Sequence, residues 1–214
     1  MRLSILRIQL VLILALTGSL LSGCIKIATN PVTSTRFYVL TPVDSTPSPV
    51  GQSDQNRPLS LEIAALRLPQ YLEKPQIITR SGTNQLELAE YHQWGGNLRK
   101  NMIQVLARNL SQLLVTPDIS IAPFRPSVPP DFSIEVDVMQ FEAEADGQVR
   151  LITQWRILRG MDQKNLIVRM TNLVRPVDAS NFEQTVLAMS ALLGELSRMI
   201  AQEILTHVSK DSAS

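Results

Sequence analysis

Phe132-Ser133-Ile134-Glu135-Val136-Asp137-Val138, then Val149-Arg150-Leu151-Ile152-Thr153-Gln154-Trp155-Arg156-Ile157, then Leu166-Ile167-Val168-Arg169-Met170: these three runs decide the fold. Apolar and polar side chains alternate along the first, the period of a strand with one buried face. The second carries Val149, Leu151, Thr153, Trp155 and Ile157 against a mostly polar set, and Leu166, Val168 and Met170 continue the pattern. Asp146-Gly147 lies between the first two, and Gly160 and Asp162 between the second and third, which is turn chemistry. Three adjacent antiparallel strands are expected.

On the C-terminal side, Ser180-Asn181-Phe182-Glu183 offers a capping box, in which Ser180 accepts from the backbone at Glu183 and Glu183 reaches back. The helix it opens buries Phe182, Val186, Met189, Leu193, Leu196, Ile200 and Ile204 and ends near His207. On the N-terminal side, Pro123 to Pro130 holds four prolines and reads as an exposed connection after a short strand, Ile119 to Ala122. Before that, Asn97 to Val115 is an amphipathic helix. Leu98, Met102, Val105, Leu106, Leu110, Leu113 and Leu114 form its apolar stripe, with Arg99, Lys100, Gln104, Arg108 and Gln112 opposite. Gly95-Gly96 marks its start and Pro117 its stop. Earlier strands are expected at Leu59 to Leu68 and at Gln76 to Arg80 and Gln85 to Leu88, these two flanking Ser81-Gly82-Thr83-Asn84. Arg36-Phe37-Tyr38-Val39-Leu40-Thr41 reads as a first strand, followed by a proline- and serine-rich linker from Pro42 to Pro58. Two long helices are thus available to cover a sheet of five or more strands, so a layered α/β domain is favoured over a barrel or sandwich.

The composition bounds the function. The chain has 214 residues, enough for a single core. Its 20 Lys and Arg are balanced by 19 Asp and Glu, which argues against a nucleic-acid protein working by counterion release. One cysteine permits no internal disulfide, and with only two histidines, His92 and His207, no Cys/His metal cluster can be assembled. No metal or cofactor is expected. No phosphate loop, GxGxxG, nucleophile elbow or HExxH occurs, so a hydrolase is poorly supported. His92, beside a predicted loop, is better explained as a surface or satisfied residue than as a base, and His207 suits the last turn of a helix. Glu142 and Glu144, two apart on a strand, read as the solvated edge of a hairpin rather than a catalytic dyad.

The N-terminus stands outside the fold. Met1 to Arg7 carries two arginines and no acid, and Ile8 to Leu21 is almost entirely apolar, the layout of a secretory signal peptide. The uncharged run from Ile8 to Ile25 is also at the lower limit for a transmembrane helix. Leu21-Ser22-Gly23-Cys24 resembles the lipobox of bacterial lipoproteins, and that likeness decides between the two. It implies removal of residues 1–23 and lipidation of Cys24, with a tether over 24–35, one periplasmic domain over 36–209 and a tail over 210–214. Two or three acyl chains hold a protein on a membrane durably where one does not. Loss of Arg2 and Arg7 with the leader leaves 18 basic against 19 acidic side chains, so attraction to anionic lipid is not the anchor. Ile25 stands where enterobacterial-type sorting reads aspartate as an inner-membrane signal, which implies the outer membrane.

Leu66-Arg67-Leu68-Pro69-Gln70-Tyr71-Leu72-Glu73-Lys74-Pro75-Gln76-Ile77-Ile78-Thr79-Arg80 differs in kind. Two prolines stiffen the chain around Tyr71-Leu72, which lowers the entropy lost on docking. Tyr71 and Leu72, with Trp94 as a further candidate, are read as partner-binding anchors; the alternative is that they pack on their own core. This segment, the following Asn84-Gln85-Leu86, Trp94, Val105-Leu106-Ala107-Arg108-Asn109-Leu110, the early Phe37-Tyr38-Val39-Leu40 and the lipobox together resemble the PqiC-like family of ABC-type transport auxiliary lipoproteins. The family commonly has Glu-Pro after the tryptophan, where this chain has Gly95-Gly96. The resemblance implies a three-layer α/β domain with a mixed sheet, related to the N-terminal domain of TolB, and no enzymatic activity. The partners it implies are an MCE-domain protein or ABC transporter subunits, with a homo-oligomeric ring of copies as a further possibility. A tethered TolB-like regulator of a cell-wall synthase is the second reading, and an enzyme acting on lipid the weakest.

Overall fold

The computed structural model describes residues 34–43, 58–124 and 128–211. In chain order the elements are β1 (Arg36–Tyr38), β2 (Leu61–Arg67), a 3-10 turn (Gln70–Glu73), β3 (Gln76–Gly82), β4 (Gln85–Trp94), α1 (Leu98–Leu113), β5 (Ile119–Ile121), β6 (Phe132–Glu144), β7 (Gln148–Arg159), β8 (Asn165–Pro176) and α2 (Phe182–Asp211). The eight strands form one mixed sheet.

The expected meander is present. β6 pairs antiparallel with β7 along its whole length, and β7 with β8. The β6–β7 turn closes with Gly147 at φ 76°, a left-handed conformation that glycine adopts without strain, and Asp146 Oδ1 accepts from the Gln148 amide at 3.1 Å. One feature of β6 departs from simple alternation. The register shifts between Val138 and Gln140, so an extra residue at Met139 moves the buried set from Ile134, Val136 and Val138 to Phe141 and Ala143. β7 has no such bulge opposite, and Val149, Leu151, Thr153, Trp155 and Ile157 all face the core. In β8 the inward set is Thr171 with half-buried Ile167 and Leu173, whereas Val168 and Met170, grouped with the pattern in the sequence reading, are exposed. Thr171 accepts the buried Trp155 indole N–H at 2.9 Å, and that partner fixes which side of β8 turns inward.

β7 occupies one edge of β6, and the other edge is shared. β2 runs parallel to Phe132–Asp137, and β3 parallel to Ala143–Glu144. Beyond β2 lies β5, and beyond β3 lie β4 and then β1. The sheet therefore forks at β6.

α1 packs against α2, and both pack against the sheet. Leu98, Met102, Val105, Leu106 and Leu110 of α1 are buried as expected, and α2 buries Val186, Met189, Leu193, Leu196, Ile200 and Ile204. Each such side chain contributes about 1.5–3 kcal/mol when removed from water. The mixed sheet covered by two long helices matches the expected α/β domain. The expected capping box does not form. Ser180 turns back to Asp178 Oδ1, and Asn181 caps α2 by accepting from the Gln184 amide at 3.1 Å. α2 continues past His207, where the helix was expected to end, to Asp211.

Candidate functional site

The chain passes from β2 to β3 along a single edge of β6, and between them it must leave the sheet. Pro69 and Pro75 bracket the departure, and neither has an amide hydrogen to give to a neighbouring strand. The 3-10 turn between them is closed by the Leu72 amide donating to the Pro69 carbonyl at 3.0 Å. Opposite this gap, the Phe141 amide is taken by the Glu142 carboxylate, at 2.9 Å from Oε2. Tyr71 donates its hydroxyl to the same oxygen at 2.9 Å. Arg80 from β3 donates through Nε and Nη2 to Oε1 at 2.9 and 2.7 Å. A fully buried carboxylate is thereby given four donors and a counter-charge, which is what makes its burial tolerable.

The electrostatics follow. Burial, and then the Glu142 charge, push the Tyr71 phenol well above its ordinary value, so it acts as a donor only. The hydrogen bond to Glu142 likewise raises Arg80. Glu142 is thus not the solvated edge expected from sequence: its partner Arg80 lies 62 residues earlier. Glu144 is partly exposed and pairs with Arg150 at 2.9 Å, which holds its carboxyl below the usual range. Further along the same face, Arg67 bonds Asp137 at 2.9 Å and Arg156 bonds Glu135 at 2.6 Å.

The three expected partner anchors have different surroundings. Leu72 is 3% exposed and Trp94 6% exposed, both within the core cluster, so neither offers a surface to a partner. Trp94 is drawn in because β4 extends to its end, its amide bonded to the Pro75 carbonyl at 2.7 Å. Tyr71 is half-buried and engaged with Glu142. Cys24, the expected lipidation site, lies outside the described residues, as do the leader and nearly all of the tether.

A second arrangement was not anticipated. After β1, residues Leu40 to Val43 cross the helix pair as an extended segment whose amides are met by side chains. Asn101 Oδ1 accepts from Leu40 at 2.7 Å, Ser190 Oγ from Thr41 at 3.2 Å and Asn109 Oδ1 from Val43 at 3.2 Å. Asn109, fully buried, also donates to Ser197 of α2 at 3.1 Å. Val43 sits against Gly194, where an added Cβ would lie 2.4 Å from its Cγ1. The available signal was two asparagines eight residues apart flanking Val105 on an otherwise apolar stripe. Beside this crossing, Leu40, Pro42, Val105, Ile121 and Arg108 line an open cleft.

His92, expected beside a loop, sits within β4. Its Nδ1 lies 2.8 Å from the Tyr38 hydroxyl, and its ring stacks on Phe182 at 3.9 Å between centroids. Burial, and then nearby Arg36, lower its pKa. Among the described residues no group of His, Cys, Asp and Glu side chains could hold a metal ion, and no helix is long and apolar enough to cross a membrane. The buried polar groups act on the backbone and on one another, holding the β2–β3 detour and the N-terminal segment in place.

Two solved structures are similar over most of their length. Protein XCC0632 from Xanthomonas campestris, of the family DUF330, has a TM-score of 0.68 at 17% identity, covering 84% of this chain and 100% of that one. A crystal structure of an uncharacterized protein has a TM-score of 0.63 at 22% identity, covering 80% of this chain and 99% of that one. At such identities they speak for the fold alone. No curated protein matches the chain. The model of one family, however, matches residues 38–201, from the last residue of β1 into the C-terminal helix. The chain belongs to the ABC-type transport auxiliary lipoprotein components, which are not an enzyme family.

Proposed function

We propose that the protein is a lipid-anchored adaptor held at the periplasmic face of the outer membrane by Cys24, where it docks the conduit of an MCE-type, ABC-linked system that moves lipid between membranes. The observation that carries this reading is the family match over residues 38–201 joined to Leu21-Ser22-Gly23-Cys24 just ahead of it. Ile25 supports the outer-membrane address. The buried Asn109, Glu142 and Thr171 all have structural partners, in keeping with a protein that works by position rather than by chemistry. Leu72 and Trp94 hold the domain together rather than the complex.

Cys24 carries the only thiol in the chain. In cells fed labelled palmitate, Cys24→Ala is expected to abolish the label and leave a larger precursor. Label persisting in the variant would end the lipoprotein reading. Fractionation of the native form is expected to recover it with the outer membrane, and crosslinking to capture an MCE-domain or ABC subunit. Recovery solely with the inner membrane would overturn the sorting argument, and a crosslink to a cell-wall synthase instead would favour a regulator.

A further inference from the structure

The first described strand carries side chains that the fold does not use. On β1, Phe37 is 65% exposed, and Val39 just after it is 55% exposed. β1 lies parallel to the end of β4 with Phe37 opposite Gln93. Tyr91, two residues before Gln93 and so on the same side of the sheet, is 40% exposed. The alternate residues Tyr38, His92 and Trp94 point the other way, into the His92–Phe182 stack and the core. Two aromatics and a valine thus stand together on the outer face of the sheet edge, while their neighbours anchor that edge. Single exposed apolar residues are ordinary; three gathered on one edge strand pair ask for an occupant.

The position of the patch in the chain names the occupant. Cys24 precedes Arg36 by twelve residues, a span of at most about 40 Å. The tether therefore ends in the patch itself, and no other part of the domain is so closely leashed to the lipid. Leashing turns a weak contact into an intramolecular one with a high effective concentration, so a small apolar patch suffices. Aromatic side chains are also the ones that settle at the boundary between headgroups and acyl chains. We infer that Phe37, Val39 and Tyr91 form a membrane-contact patch that lays the β1–β4 edge against the bilayer holding the lipidated Cys24. This rests on the lipoprotein reading. The contact is apolar rather than electrostatic: β1 brings one exposed cation, Arg36, while β4 brings exposed Glu87 and Glu90.

The test uses the mature lipoprotein purified from membranes, returned to vesicles of phosphatidylethanolamine with a minority of phosphatidylglycerol, with and without brominated acyl chains. Phe37→Trp reports from the patch. Val168→Trp, exposed on β8 and five strands away along the sheet (about 24 Å at the usual spacing), reports from the far end. Both positions are exposed, and unchanged thermal unfolding in each variant shows that the fold is kept. Emission added by Phe37→Trp is expected to shift to the blue and to be lost with brominated lipid, unchanged by high salt, while that from Val168→Trp stays red-shifted and unquenched. Equal behaviour of the two reporters, or shielding of Phe37→Trp only when a protein partner is added, would overturn the patch. Palmitate labelling of the same preparation separates the two claims: label without selective quenching refutes the patch alone, and absence of label removes the lipoprotein reading and the patch with it.

Discussion

Leu72 and Tyr71 stand side by side with opposite surroundings, and truncating each tests what the proline-bracketed turn is for. Leu72→Ala removes a buried side chain and is expected to lower stability by about 2–5 kcal/mol. Tyr71→Phe removes one of the four donors on Glu142, and a loss of about 1–1.5 kcal/mol is expected, because Arg80 and the Phe141 amide remain. Denaturant unfolding of both variants, with a pull-down of transport subunits alongside, checks the pair. Binding lost by Leu72→Ala beyond its unfolded fraction would return this turn to the docking surface. At this scale the sequence was least legible. Ser180 and Asn181 are adjacent and equally fit to cap a helix, and Asp178 decides between them by capturing Ser180. Glu142 looks like any strand carboxylate until Arg80 arrives from another part of the chain.

Elements were more legible where periodicity alone sets them. The alternation from Phe132 to Ile157 required strands, and the stripe on residues 98–114 required a helix, because each pattern has a single backbone period that buries it. The bulge at Met139 was not legible: one inserted residue changes which face is buried without changing composition. Nor was the crossing of Leu40 to Val43, since extended backbone met by side chains has no period. That crossing can be tested at Gly194. Valine there gains no room without moving Val43, so Gly194→Val is expected to destabilise the domain by about 1–3 kcal/mol. Hydrogen exchange of the Leu40, Thr41 and Val43 amides should rise more than that of β7 amides. Uniform acceleration would show that the clash is relieved elsewhere.

For the molecule as a whole, acid is the informative stress. His92 has a lowered pKa, so the fold favours its neutral ring; the unfolded chain takes up that proton first as pH falls below about 6.5, and stability is lost from there downward. Glu144, also lowered, adds a second loss only at more acid pH, as its carboxylate becomes protonated and Arg150 loses its partner. Thermal unfolding is therefore expected to be flat from neutral to mildly alkaline pH, with a first decline in the mildly acid range that His92→Gln removes. A decline unchanged in the variant would assign it to other groups. The fork at β6 has a consequence for how the chain is made. β2 with β5, and β3 with β4 and β1, are separate until β6 joins them, because β2 and β3 each lean on β6 and not on one another. The N-terminal half has no complete sheet to form while residues after 131 are still unmade, and its pairings across β6 are the long-range kind that form late. A nascent chain made from its N-terminus onward thus stays pliable until its middle third emerges, a property that would suit the membrane passage required by the lipid anchoring proposed above.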